Sequence, residues 1–114
     1  SLQIHLWGDL NRLIPATQFI VNSTPVGMYP HIDATPITAE LMATLPADSI
    51  AYDLIYTPSP THFLQLAQAQ GAMIIDGLEM LVQQGAIALE KWLGQPVPID
   101  TMRQALLNHL AQKK

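Results

Sequence analysis

Met73-Ile74-Ile75-Asp76-Gly77-Leu78-Glu79-Met80-Leu81-Val82-Gln83-Gln84-Gly85-Ala86 is the stretch that decides the fold. Its first three residues are an unbroken apolar run, as in a strand buried on both faces. Asp76 then suits a helix N-cap, with Glu79 three residues on completing the acidic form of a capping box. At about 100° per residue, Leu78, Val82, Gly85, Ala86, Leu89, Trp92 and Leu93 fall on one broad apolar face. Gly94 ends that helix. A strand that passes straight into an amphipathic helix is the repeating piece of a parallel sheet.

The same alternation extends towards the N-terminus. Phe19-Ile20-Val21 is a β-favouring run that stops on Asn22-Ser23-Thr24-Pro25, a cluster of turn formers, with Gly27 and Pro30 behind it. Residues 38–45 carry a short helical pattern, and residues 49–53 a second strand broken by Pro58 and Pro60. Thr61 caps the next helix, where Phe63, Leu64 and Ala67 recur at helical spacing up to Gly71. Leu2, Ile4 and Leu6 alternate at the very start, which predicts an opening strand. A chain that begins inside structure reads as part of a longer protein. Beyond Gly94, Pro96-Val97-Pro98 is a stiff connector, and Asp100 caps a last helix along Met102, Leu106 and Leu110. Lys113 and Lys114 suit the dipole at its end.

The expected class is therefore α/β, an incomplete doubly wound, Rossmann-like parallel sheet with flanking helices on both faces. All 114 residues are assigned to one domain. Apolar residues make up 49% of the chain and charged ones only 12%, about half the roughly 25% usual for soluble domains. An exterior so thinly charged suits a piece that rests against something else.

Net charge is −4 and the basic residues are scattered, so no stripe exists to neutralise a phosphate backbone and nucleic acid is not an expected partner. With no cysteine, disulfides and thiolate metal sites are excluded. The apolar runs are too short to span a bilayer and no charged leader opens the chain, so no membrane partner is expected and a cytoplasmic location is. His5, His31, His62 and His109 have no ligand spacing, and no metal is assigned.

In doubly wound folds, ligands sit beyond the carboxyl ends of the strands. Three segments follow predicted strands here: residues 22–28, 53–58 and 76–86, all expected on one edge of the sheet. On the third, Gly77, Met80, Gln84 and Ala88 lie within about 60° of one another, away from the apolar stripe. A first-turn glycine admits close approach to the backbone, and a Gln amide both donates to and accepts from hydroxyls. Solvation is equally the ordinary fate of a helix glutamine. Tyr56 could hold a carboxylate or cap the sheet, and Thr24-Pro25-Val26-Gly27 could be a plain turn or a loop lying along a cofactor.

Taken together the three segments resemble shikimate dehydrogenases in wording, order and spacing. Asn22-Ser23-Thr24-Pro25-Val26-Gly27-Met28-Tyr29-Pro30 is similar to that family's loop beside the nicotinamide. Tyr52-Asp53-Leu54-Ile55-Tyr56 with Pro58, Thr61 and Leu64 is similar to its next strand and turn. Asp76-Gly77-Leu78, Met80-Leu81-Val82 and Gln84-Gly85-Ala86, followed by Trp92 and Gly94, resemble its signature helix. The chain departs from the family at His62, where proline is common, and at Glu79, where glycine is common. A carboxylate at position 79 would weaken cofactor binding if it turned inward.

The resemblance implies NADP as cofactor and shikimate or 3-dehydroshikimate as substrate. It implies that Leu54 and Gly77 meet the nicotinamide through the backbone, that Thr24 and Met28 line the same pocket, and that Tyr56 and Gln84 meet the substrate. The family's catalytic Lys and Asp come from an N-terminal domain, and this chain holds no catalytic residue of that kind. The Gly-rich turn for the pyrophosphate and the basic residues for the 2′-phosphate have no counterpart either. By itself the chain is thus expected to be inactive and to self-associate. Other readings are a non-catalytic interaction module on the same fold and part of a quinate-using relative.

Overall fold

The computed structural model describes residues 1–112, so the expected role of Lys113 and Lys114 lies outside the described residues. The chain divides into two compact units, Ser1–Gly77 and a second that begins at Leu78.

The first unit is built on three short strands, β1 (Phe19–Asn22), β2 (Ile50–Asp53) and β3 (Met73–Ile75). They are parallel and ordered β1-β2-β3, with Phe19 opposite Ile50, Asn22 opposite Asp53 and Ile50 opposite Met73. Parallel neighbours need a crossover connection. The short helix α2 (Ala39–Met42) lies between β1 and β2, and α3 (His62–Ala69) between β2 and β3.

Each helix starts where the sequence supplies a cap. Thr38 accepts from the Leu41 backbone N–H, and Thr61 from that of Leu64 at 3.3 Å, relieving donors that the first turn leaves unpaired. α2 is shorter than its pattern. After Met42 the chain closes into tight turns, with Thr44 and Leu45 each donating three residues back, so the apolar Leu45 reaches the core from a turn. Gly71, at φ 92°, turns the chain out of α3 in a conformation that side chains rarely adopt.

The core lies on one face of the sheet. Ala51 packs there with Ile14, Ile37, Met42, Leu45, Phe63, Leu64, Ala67 and Ala72, and Ile20 and Ile74 lie partly buried against them. Phe63 is the largest fully buried side chain, and its burial alone stabilises the unit by about 1.5–3 kcal/mol. Phe19, Val21, Met73 and Ile75 lie on the opposite face and are exposed, so the helices of this unit cover one face.

Residues 2–6 form no strand. Leu2, Ile4 and Leu6 stand in solvent and the chain turns helical at Trp7–Asp9 and at α1 (Leu10–Leu13). Alternation gives a segment one apolar face, but a strand exists only where a neighbour completes its hydrogen-bond ladder, and β1 has only β2 beside it among the described residues.

Gly77 closes the first unit under tight constraint. Its N–H donates to the Ile55 carbonyl at 3.1 Å, and a Cβ built on it would stand 1.9 Å from the Leu54 carbonyl oxygen. The Leu54 carbonyl therefore takes the space that a side chain at this position would need.

The second unit is a helix pair, α4 (Leu78–Leu93) and α5 (Ile99–Gln112). Val82 and Ala86 are buried, as the stripe predicts, but Trp92 is 82% exposed and Leu93 is exposed too. The stripe thus loses its cover over the last turn. Gly94, at φ 70°, donates to the Glu90 carbonyl and stops α4. Met102, Leu106 and Leu110 are half-buried along α5, and the Met102 methyl lies 3.7 Å from where a Cβ on Gly85 would be.

Two expected caps sit elsewhere. α5 begins at Ile99, so Asp100 lies inside its first turn and accepts from Arg103 Nη1 at 2.6 Å. α4 begins at Leu78, and Glu79 does not complete a capping box. Its carboxylate accepts from Arg103 Nε at 2.8 Å, Arg103 Nη2 at 2.6 Å and Gln83 Nε2 at 2.8 Å. A bidentate guanidinium outcompetes a lone backbone N–H for a carboxylate.

Two outcomes follow from these contacts. Gly77→Ala should cost the full-length protein about 3 kcal/mol by collision with the Leu54 carbonyl, measured by urea denaturation; an unchanged midpoint would show that the carbonyl can step aside. The Arg103 and Gln83 hydrogen bonds hold the Glu79 carboxyl at a pKa of about 2, well below the ordinary glutamate value. Because the folded value is depressed, this tie acts fully above the ordinary carboxylate range and is lost as pH falls towards about 2. Carbon-detected NMR titration of the side-chain carboxyls checks it, and Arg103→Gln should move the Glu79 pKa up towards the ordinary glutamate value, short of a full return because Gln83 still donates.

Candidate functional site

β1, β2 and β3 run in the same direction, so the segments following them open onto one edge of the sheet. That edge is organised by a buried polar network. Asn22 and Asp53 end adjacent strands at the same register and both face inward, with Asp53 fully buried and Asn22 nearly so.

Asn22 Nδ2 donates to the Asp53 carboxylate, 3.2 Å from Oδ1 and 3.3 Å from Oδ2, and to the Val26 carbonyl at 3.2 Å. Asn22 Oδ1 accepts from the Thr24 backbone N–H at 3.0 Å and from Thr24 Oγ1 at 2.6 Å. Thr24 Oγ1 in turn accepts from the Val26 N–H at 3.2 Å. Asp53 Oδ1 also accepts from the Ile55 N–H at 3.0 Å, and Oδ2 from Thr61 Oγ1 at 2.7 Å. Every capacity of the Asn22 amide is used, and among the described residues no buried side-chain N or O lacks a partner.

This network shapes the loops that the sequence singles out. Thr24 is held in the Asn22 turn, half-buried, and Met28 is 48% exposed after a turn closed by its N–H on the Pro25 carbonyl. Gly27, at φ 101°, lies between them, where a Cβ would stand 3.0 Å from the Ala34 carbonyl oxygen. Leu54 donates its N–H to the Asn22 carbonyl and leaves its side chain 37% exposed. Tyr56 is also 37% exposed, and neighbouring Thr57 accepts from the Tyr29 N–H, which ties the two loops together.

The structure therefore brings Thr24, Met28, Leu54, Tyr56 and Gly77 to the carboxyl edge of one sheet. Gln84 is carried on α4 of the second unit, exposed, with Nε2 donating to the Leu81 carbonyl at 3.2 Å. Met80 on the same helix is exposed as well. Both departures from the family's pattern find local partners. His62 Nδ1 donates to the Asp33 carbonyl at 2.8 Å, and Glu79 is neutralised by Arg103.

Chemically, the edge offers exposed apolar side chains over ordered backbone. No Lys or Arg occurs between Arg12 and Lys91. Such a surface fits the planar nicotinamide end of a dinucleotide and does not fit its phosphates. Asn22, Asp53 and Thr61 are missed as a unit by the sequence reading, which treats them singly as a turn former, the end of a strand and a cap. The available signal is parity: Ile20 and Ala51 face the core, so Asn22 and Asp53 two residues on must face it too.

Residues 77–107 match the family described as the shikimate 5′-dehydrogenase C-terminal domain. Over 99% of its length the chain is 58% identical to the NADP(+) shikimate dehydrogenase of a Nostoc species, of which it spans 39%. Among solved structures it is similar to the shikimate 5-dehydrogenase of Thermus thermophilus in complex with NADP(H) and shikimate. That match has a TM-score of 0.73 at 36% identity and covers 84% of this chain and 35% of that one. The quinate dehydrogenase of Corynebacterium glutamicum in complex with NAD is similar too, with a TM-score of 0.77 at 29% identity over 87% of this chain and 34% of that one. With a strand-end edge of the expected composition and this agreement in sequence and fold along nearly its whole length, the chain corresponds to the C-terminal part of shikimate dehydrogenases.

Proposed function

We propose that the chain supplies the nicotinamide-side wall and two substrate contacts of an NADP-dependent shikimate dehydrogenase, which reversibly reduces 3-dehydroshikimate to shikimate in aromatic amino acid biosynthesis. The gathering of Thr24, Met28, Leu54, Tyr56 and Gly77 at one sheet edge, in a chain so similar to these enzymes, carries this reading. On this reading the chain is the end of an NADP-binding domain with its C-terminal helices, and the rest of the enzyme lies outside it. A cytoplasmic location goes with a reaction between two dissolved metabolites.

The cofactor supplies the hydride chemistry when bound. The chain's own residues orient. Met28 and Leu54 offer apolar contact to the ring, the Leu54 and Gly77 backbones lie against each other where Gly77 N–H meets the Ile55 carbonyl, and the Thr24 loop is fixed by Asn22. Tyr56 and Gln84 offer a phenol and an amide to substrate hydroxyls and carboxylate. Holding a reactant in register with its partner is itself a large share of catalysis, while proton transfer belongs to residues outside this chain.

In the full-length enzyme, Gln84→Ala should raise KM for shikimate about 2–10-fold with a smaller change for the dinucleotide, as for a lost neutral hydrogen bond. Unchanged kinetics would return Gln84 to the role of a solvated surface residue. Running the assay with quinate beside shikimate separates the shikimate reading from that of a quinate-using relative.

The isolated chain should show no turnover with shikimate and NADP, and should self-associate through the open sheet face of Phe19, Val21, Met73 and Ile75. Light scattering over a range of concentrations decides the second point. A compact monomer throughout would show that this face needs no cover, and would favour an independent interaction module.

A further inference from the structure

Asp53 is a fully buried carboxylate that the proposed function leaves without a task. No Lys or Arg lies near it in sequence, and its partners are the donors Asn22 Nδ2, the Ile55 N–H and Thr61 Oγ1. A carboxylate removed from water and held by neutral donors alone is a costly way to fill a core. Its partners belong to three separate elements: the end of β1, the turn that follows β2 and the cap of α3. Each of the first two leads directly into residues at the candidate site. Ile55 lies between Leu54 and Tyr56, and Asn22 holds Thr24 and Val26 through both ends of its amide.

We propose that Asp53 is a positioning residue for the dinucleotide: it locks the two cofactor-facing loops, residues 22–28 and 53–58, to each other and to α3. This rests on the reading that Thr24, Met28 and Leu54 face the nicotinamide. A carboxylate accepts at both oxygens along several directions, whereas an isosteric amide accepts at one end and donates at the other. Asp53→Asn therefore keeps shape and core volume but, whichever way the amide is turned, sets its NH2 against that of Asn22, which lies 3.2 Å from one carboxylate oxygen and 3.3 Å from the other. The tie between β1's loop and residue 53 is weakened. Thr61→Val reaches the same carboxylate from α3, away from the edge, while Thr61→Ser keeps the hydroxyl.

The test is made on the full-length protein, at a temperature where circular dichroism shows each variant folded. Dinucleotide affinity is measured by calorimetry with NADP, alongside KM and kcat. Asp53→Asn should weaken NADP binding about tenfold, and Thr61→Val about threefold, with Thr61→Ser close to the parent. A purely structural role would lower the folded fraction and leave the Kd of the folded protein unchanged. Parental Kd values in folded Asp53→Asn would overturn the inference. If that variant does not fold, a parental Kd in Thr61→Val would overturn it. Failure of the parent itself to bind NADP would instead overturn the underlying reading, so the two failures are distinguishable.

Discussion

Two polar side chains on the buried face of a three-stranded sheet must find partners or cost the fold several kilocalories per mole. Asn22 and Asp53 meet that constraint through each other. Because β1 and β2 are parallel and in register there, the amide and the carboxylate arrive side by side. The hydrogen-bonding capacity left over is then spent on the segments that leave the strands. The loops of the candidate site are thus ordered from beneath, by the strand ends that generate them, while their outer surfaces stay free for a ligand. A small sheet with few residues to spare combines stability and site geometry in one cluster.

Much of the architecture is legible in the sequence because it is local. The runs Phe19-Ile20-Val21 and Met73-Ile74-Ile75, the cap Thr61, and the stops Gly71 and Gly94 each act within a few residues, and all are found where the pattern places them. The failures are non-local. The alternation at Leu2, Ile4 and Leu6 promises a strand, but pairing depends on a neighbour that the pattern does not see. Glu79 has the right spacing for a capping box, yet its partner Arg103 stands on another helix. The Asn22, Asp53 and Thr61 network joins residues up to 31 positions apart, which no window of helix or strand length covers.

Composition is better understood with the fold in hand. Strands as continuously apolar as these belong between two covered faces, but α2, α3 and the core occupy one face and leave Phe19, Val21, Met73 and Ile75 in solvent. The same mismatch appears at Trp92 and Leu93 on α4. The thin charge of the chain has the same origin, since surface meant to be covered carries few charges.

The Asn22 turn also bears on the chemical lifetime of the protein. An asparagine followed by serine is prone to lose ammonia when the next backbone nitrogen attacks its amide carbon, and that attack requires the side chain to swing free. Here Nδ2 and Oδ1 are both engaged, beneath nearly complete burial, so the folded state shields a labile bond. Were hydrolysis to succeed, the aspartate produced would set a second carboxylate against that of Asp53, where the amide nitrogen now sits 3.2 Å away. Attraction would become repulsion between like charges. Ageing at this single position would therefore open the strand ends from within, and the rate of ammonia release would report how often the cluster breathes.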